Sequence, residues 1–458
     1  MTTRQKGVSR RQFLSAAAVG GGLIVLPAKL VRGYAANEKV SVALVGVGGR
    51  GQWFVDTIPR MQPVVAICDV NDEKIAAALK HWERPPKVHH DFRKMLDEMA
   101  GSIDAVVVAT PDHSHAVVSA AAIRAGKHVF CEKPLTRTVH ESRALRELAR
   151  EHGVATSMGN QGTYSGPFRR ALELIQNGTI SQVREIHVWN SGGGADRSEP
   201  PQGEQPVPAN LHWDLWLGPA AMRPYHRDWM RRHLWREFGT CQLGNWASHS
   251  ANLGFMALKV HELWLGSTAS QQGCVLRVEA QSSGINKLSF PRWEIVKWHV
   301  PVRADLPPIT ITWYNGPAPG VKELLASVLS DAPPKDKNLW NFAGTLIVGT
   351  KGTIHTTGHN MWFRLLPKER FVGVQCDRPE TVESSRGPEQ DWFAACRGGK
   401  RPWANFDYAS ALNEFLMLGN VATQFEGALE FNPREMKITN NAEADALLRY
   451  EYRQGWTL

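Results

Sequence analysis

The sequence predicts an α/β protein: a doubly wound parallel sheet first, then an α+β domain with a mostly antiparallel sheet. Three observations carry this. Apolar runs without polar alternation, the mark of strands buried on both faces, recur between Lys39 and Asn160. Stretches of helical length separate them, as a parallel sheet requires. After about Gln161 the pattern changes to strands with few helices between them. A chain of 458 residues exceeds one compact core, so the expected organisation is a leader (1–35) and two domains (38–160 and 161–458).

The leader has a basic start, an apolar stretch from Phe13 to Leu26, and small residues around Gly33-Tyr34-Ala35 suited to cleavage. Arg10 and Arg11, followed by Phe13 and Leu14, resemble a twin-arginine signal, which implies the twin-arginine export machinery as a partner and a periplasmic or otherwise exported destination. No cysteine precedes Cys68, so a lipoprotein anchor is excluded, and no later segment reads as a membrane span. Residues 1–35 hold six of the 53 Lys and Arg and none of the 44 Asp and Glu, which leaves the remainder at only +3. That is no nucleic-acid footprint. The six cysteines form neither a C-x-x-C pair nor a zinc spacing; no metal is expected.

"KVSVALVGVG" is the first strand of the parallel sheet. It runs into Gly46-Val47-Gly48-Gly49-Arg50-Gly51, a G-x-G-x-x-G turn that lets a pyrophosphate approach backbone amides at a helix start, as in a Rossmann domain. "PVVAICD" ends in Asp69, eighteen residues past Gly51, where a carboxylate accepts ribose hydroxyls and repels a 2′-phosphate. NAD is therefore expected, and NADP disfavoured. "DAVVVATP", "KHVFCEKP" and "VATSMGN" are further strands; "HAVVSAAAIRAG" and "TVHESRALRELAREHG" are helices, the second closed by Gly153. Ligands bind beyond the carboxyl ends of such strands. The candidate cofactor contacts there are Thr110, Pro111, Asp112, His115, Glu132, Lys133, Asn160 and Gln161; His115, and more so His113, have the alternative reading of first-turn surface residues. Asp112 has a second reading as a helix cap.

"ATPDHSH" followed by "AGKHVFCEKPL" resembles the glucose–fructose oxidoreductase and inositol dehydrogenase superfamily, Gfo/Idh/MocA. "GNQGTYSGPFRRALELIQNGTISQVREIHVW" is similar to that family's crossover into its second domain. The resemblance implies that Lys133 lies beside the nicotinamide and the reacting sugar carbon, and that the chain is a homo-oligomer. A lysine at a strand end also suits polarising an oxygen, with a structural ion pair as the alternative.

In the second domain "VREIHVWN", "CVLRVEAQ", "RWEIVKWHV", "ITITWYNG", "LIVGTKGTIHTTG" and "WFRLLP" read as strands, with a hairpin turn at Lys351-Gly352. The family's D-x-x-x-H-x-x-D spacing falls on "NWASHSAN", which puts His249 as the base and Asn245 and Asn252 where the family carries aspartates. Neither asparagine ionises; Asn245 and Asn252 remain candidate substrate contacts, and neutral His249 is favoured. Trp213, Trp216, Trp229, Trp235 and Trp246 suit a sugar face or a core, and Tyr225, His226 and Arg236 are further candidate substrate contacts. The expected function is an exported NAD-dependent oxidoreductase acting on a sugar, with its nucleotide held tightly. A redox-neutral glycosidase or lyase working through a keto-sugar, and a non-catalytic sugar-binding protein, are the alternatives.

Overall fold

The computed structural model describes residues 39–265, 274–303, 305–329 and 342–458. The leader with Arg10 and Arg11 lies outside the described residues. Strands β1 (Val42–Val45), β2 (Val64–Cys68), β3 (Lys87–His89), β4 (Ala105–Val108), β5 (His128–Cys131) and β6 (Thr156–Met158) form one parallel sheet in the order β3-β2-β1-β4-β5-β6. All four residues of both β1 and β4 are buried, as expected for strands covered by helices on both faces. β3 has no apolar run, and sequence reading missed it.

Local chemistry sets the helix ends. Thr138 and Glu141 form a reciprocal cap at the start of Val139–His152, and Gly153 closes that helix at φ 62°. The helix Asp112–Arg124 is buried along most of its length: it packs on β4 and β5 and beside the helices Phe92–Met99 and Val139–His152, and the second domain covers its first turn at His113.

The second sheet has nine strands: β7 (Val183–Asn190), β8 (Leu276–Ser282), β9 (Glu294–Val300), β10 (Ile309–Asn315), β11 (Ala343–Gly349), β12 (Thr353–Thr357), β13 (Phe363–Leu366), β14 (Leu429–Asn432) and β15 (Lys437–Ile438). Their order is β13-β12-β11-β7-β10-β9-β8-β14-β15. Among these described strands only β7 and β10 pair in parallel; the other neighbours are antiparallel. The β11–β12 hairpin closes through Gly349 N–H to the Gly352 carbonyl.

The chain then returns to the first domain. Trp392, on the helix Pro388–Cys396, packs edge-on against Phe130 of β5 at 5.5 Å. The helix Phe406–Ala422 is buried on nearly every face, and its Glu414 forms a buried ion pair with Arg143 of the first domain at 2.8 Å. These contacts fix the second sheet relative to the carboxyl ends of the first. No helix among the described residues is long and apolar enough to cross a membrane.

Candidate active site

A cleft of about 630 Å³ lies at those carboxyl ends. Gly46, Gly48, Gly49 and Arg50 line one end of it, with Asp69 beside them. Gly46 has φ 84°, and a Cβ there would meet the Ala109 carbonyl oxygen at 2.6 Å. A Cβ on Gly51 would sit 2.1 Å from the Gly46 oxygen, so this glycine serves the close turn and does not itself line the cleft. No side chain caps the helix that begins at Gly51. Asp69 accepts from Val47 N–H at 2.8 Å and from Asn71 N–H at 3.0 Å, which ties the loop to β2. Burial pushes its carboxyl up, against those amide bonds. An uncapped glycine loop with a carboxylate at the next strand end fits the pyrophosphate and ribose of NAD.

Thr110, Pro111, Asp112, His115, Glu132, Lys133 and Gln161 line the middle of the cleft. Glu132 is buried and accepts from Arg50 Nε at 2.8 Å. Asp112 is a buried acceptor, not a helix cap: Arg232 donates to it at 2.8 Å and the Thr240 hydroxyl at 2.7 Å. Burial pushes its carboxyl up most strongly, but Arg232, His115, the Thr240 hydroxyl and Lys133 together outweigh it and hold the carboxyl below its ordinary value. Gln161 Oε1 is buried with no partner among the described residues, an acceptor facing the cleft.

The two first-turn histidines are not at the surface, because the second domain packs over that turn. His113 Nε2 lies 2.9 Å from the Trp216 carbonyl, and burial pulls its pKa down to about 4. His115 sits between the Pro134 and Thr110 carbonyls at 2.7 and 2.8 Å. Burial opposes its charge, but Cys131, Asp112 and the Pro134 carbonyl outweigh it and raise its pKa to about 9. Both nitrogens are committed, so His115 lines the cleft without offering it a free polar atom.

Lys133 Nζ donates to Asn245 Oδ1 at 2.6 Å and to the Asn245 carbonyl at 3.1 Å. Burial pulls its ammonium below the usual lysine range, with Glu132 and Asp112 opposing. Asn245 comes from a π-helical turn, Leu243–Ala247, which runs directly into the turn carrying His249. His249 Nδ1 lies 2.8 Å from Asn160 Oδ1, while Asn160 Nδ2 donates to the Ser248 carbonyl at 2.7 Å. That second bond orients the amide with its oxygen toward the ring, so His249 carries its proton on Nδ1. Nε2 is left without a protein partner among the described residues, on a side chain that lines the cleft. Burial, then the Lys133, His359 and Arg50 charges, hold His249 well below its usual pKa. Asn160 itself does not line the cleft; it acts through His249.

Four candidates from the sequence fall elsewhere. Asn252 is buried and spends both ends of its amide, donating to Thr163 Oγ1 at 2.8 Å and accepting from the Tyr408 hydroxyl at 2.6 Å. Arg236 donates to the Asn286, Ser289 and Asn420 carbonyls and to Thr423 Oγ1 at 2.7–3.0 Å, so it is a brace inside the second domain. Tyr225 packs edge-on to Trp213 at 5.1 Å, inside an aromatic cluster with Trp229, Trp235 and Phe238. His226 caps Asp228 N–H at 3.2 Å and faces a separate surface hollow. Of those five candidate tryptophans, Trp216 and Trp246 line the cleft, where Trp456 joins them.

Sequence reading missed His359, Arg232 and Gln242, all of which line the cleft. The His359 ring lies 4.5 Å from that of His249 and 4.9 Å from Trp246. It enters from the turn after β12, in a stretch that carries no motif; only the fold brings it to the site.

The fold and the cleft define a two-domain dinucleotide-binding protein with a lysine and a histidine facing one site. Residues 40–160 match the Gfo/Idh/MocA family model, described as "Oxidoreductase family, NAD-binding Rossmann fold". An inositol 2-dehydrogenase of Salmonella typhimurium is 26% identical over 153 residues, 32% of this chain and 45% of that protein. A levoglucosan dehydrogenase of Pseudarthrobacter phenanthrenivorans is 28% identical over 156 residues, 32% of this chain and 39% of its own length. The chain thus spans less than half the length of the curated relatives it matches. The WlbA dehydrogenase from Bordetella pertussis, solved with NADH and UDP-GlcNAcA, has the same fold: TM-score 0.56 at 17% identity, over 85% of this chain and 98% of that one.

Proposed function

We propose that this chain is an exported oxidoreductase that removes two hydrogens from a sugar or sugar derivative and keeps its NAD bound between turnovers. The observation that carries the chemistry is the tautomer of His249, fixed by Asn160 with Nε2 free, in the cleft that also holds Lys133. In this reading His249 Nε2 takes the hydroxyl proton of the substrate. The Lys133 ammonium stabilises negative charge building on the same oxygen. Asn245 holds Lys133 in place; one of its amide N–H groups reaches Gln242 Oε1 at 3.5 Å and the other is left for a substrate hydroxyl. When bound, NAD supplies the hydride acceptor. Export through the twin-arginine route, by the pair Arg10 and Arg11, agrees with a retained cofactor, because that route carries folded proteins to a compartment with little free NAD.

The test is to purify the mature protein without added nucleotide, denature it, and assay the dinucleotide released. Recovery near one NAD per chain is expected, and a sugar substrate alone should give a single burst of bound NADH. Net cleavage without NADH build-up would point to the redox-neutral cycle. Sugar binding with neither outcome would leave a binding protein. Steady NADH release under multiple turnover would overturn cofactor retention.

A further inference from the structure

Three metal-ligating side chains outside the catalytic half of the cleft converge at its other rim. Asp72 opens the helix Asp72–Leu79, His90 follows β3, and His212 belongs to the second domain, just before the short helix Trp213–Leu217. Asp72 Oδ1 lies 2.7 Å from His90 Nε2 and 3.8 Å from His212 Nε2. One ligand atom from each of the three falls within 4.8 Å of the others. The two imidazoles face each other with centroids 4.2 Å apart. All three side chains are between 38% and 51% exposed, so an ion and its water can reach them. The backbone holds the set in register. Asn71 and Leu211 form a β-bridge, Asp72 N–H donates to the Asn210 carbonyl, and His212 N–H donates to the Val70 carbonyl, both at 2.9 Å.

We propose that Asp72, His90 and His212 bind a divalent cation of the zinc class, which clasps the second domain's 208–217 segment to the nucleotide-binding domain. Two imidazoles and one carboxylate make a borderline-soft donor set. It suits Zn²⁺ and disfavours Mg²⁺ and Ca²⁺, which take oxygen ligands and keep or demand more of them. Three protein ligands leave a fourth position for water. Around a tetrahedral zinc with bonds of about 2.0–2.2 Å, ligand atoms sit roughly 3.3–3.5 Å apart. The Asp72–His90 separation must open by about 0.7 Å and the Asp72–His212 separation close by about 0.4 Å, and the two imidazole nitrogens must come to the same spacing, movements that partly exposed side chains can make. The positive end of the helix beneath Asp72 opposes the ion, so the site is reversible and not a structural zinc centre. Sequence spacing could not reveal it, since each ligand comes from a different element.

The site borders the cofactor. Asn71, His90 and Leu211 line the cleft beside Asp69, so closing this rim covers the adenosine end. This consequence rests on the placement of the ribose at Asp69; the metal site itself does not.

The experiment strips the purified NAD-loaded protein with a chelator and titrates Zn²⁺ by calorimetry, with Mg²⁺ and Ca²⁺ as controls. Wild type, His212→Ala and His90→Gln are compared, and thermal unfolding without metal checks that each variant folds. One zinc per chain in wild type is expected, bound at least tenfold tighter than in either variant, with no response to Mg²⁺ or Ca²⁺. NAD release after dilution is measured in parallel. Zinc should slow it several-fold in wild type and leave His212→Ala unchanged. Equal zinc affinity in wild type and both variants, or none in wild type, would overturn the site. Tight zinc binding with unchanged NAD release would overturn the clasp.

Discussion

His249 Nδ1 and Asn160 Oδ1 lie 2.8 Å apart, and the bond sets which nitrogen of the imidazole is free. The other amide end of Asn160 is held by the Ser248 carbonyl, so the asparagine cannot turn over without losing a second bond. Burial, with Lys133, His359 and Arg50 nearby, keeps the ring neutral. A neutral ring accepts a proton, so activity should persist below the ordinary histidine pKa and not fall away near it. His249→Ala is expected to lower kcat by roughly 100-fold or more while NAD stays bound. Asn160→Ala should cost roughly fivefold, the effect of about 1 kcal/mol. Asn160→Asp places a carboxylate on the ring, raises its pKa and moves the acid limb of the pH profile to higher pH. A limb that stays put in Asn160→Asp would sink this role for Asn160.

Lys133 and Asn245 are joined at 2.6 Å, and burial already lowers the lysine's pKa. In Asn245→Asp a carboxylate takes the amide's place, stabilising the ammonium and, one turn away, the His249 imidazolium. Both pKa values rise, so both limbs of a bell-shaped kcat profile should move to higher pH. Asn245→Ala should instead lower kcat and raise KM together, because the lysine loses its support and the substrate loses a donor. Lys133→Ala with near-normal turnover on a confirmed sugar would remove the lysine from the chemistry.

Much of the first domain is legible in the sequence because its strands other than β3 stand out as apolar runs and the helix ends have their own chemistry. Gly153 and the Thr138–Glu141 pair are local signals that survive in the fold. The second domain's strands are legible for the same reason, except β14 and β15, which are short and close the sheet edge. The site is legible only where it lies on strand ends of the first domain. Asn252 failed because a family spacing says which residues share a helix, not which face the core; here Tyr408 and Thr163 bury it. His359 and Arg232 were invisible because they reach the cleft from loops whose position depends on the packing of the second sheet.

Arg236 provides a stability test of that distinction. Its guanidinium donates to four oxygens from the second domain and stacks 4.7 Å from the Phe290 ring centre. Arg236→Ala leaves those acceptors without their charged donor, so unfolding free energy should fall by about 3 kcal/mol. KM for a confirmed substrate should not change in the folded fraction. A raised KM with unchanged thermal stability would return Arg236 to the substrate site.

Asp69 should decide between the two nicotinamide cofactors, because a carboxylate accepts ribose hydroxyls and repels a 2′-phosphate. Asp69→Ser is expected to weaken NAD by about tenfold, the loss of a charge-assisted hydrogen bond, and to narrow the gap to NADP. Asp69 also accepts from Val47 N–H, so the same change loosens the glycine loop for both cofactors. Asp69→Asn reduces the confounding: with its oxygen toward Val47 it keeps that acceptor, and it loses the charge together with the bond from Asn71 N–H. Competitive binding of NAD and NADP to wild type and both variants measures this. Wild type that takes NADP as well as NAD would remove Asp69 from that role.

Export and cofactor retention make a joint prediction. A folded, NAD-loaded enzyme can leave the cytoplasm only by a route that accepts folded cargo. Arg10→Lys with Arg11→Lys keeps both positive charges, so a general requirement for a basic start would still be met. A twin-arginine receptor reads the planar guanidinium pair, and lysine does not reproduce its fixed fork of donors. The double variant should therefore accumulate as an unprocessed precursor inside the cell, folded and still carrying NAD on denaturation. Fractionation, precursor size and dinucleotide assay measure the three parts separately. Normal export of the double variant would overturn the twin-arginine assignment. An inside precursor that is folded but holds no NAD would break the link between export and a retained cofactor, because the enzyme would then reach its destination without the nucleotide its chemistry needs.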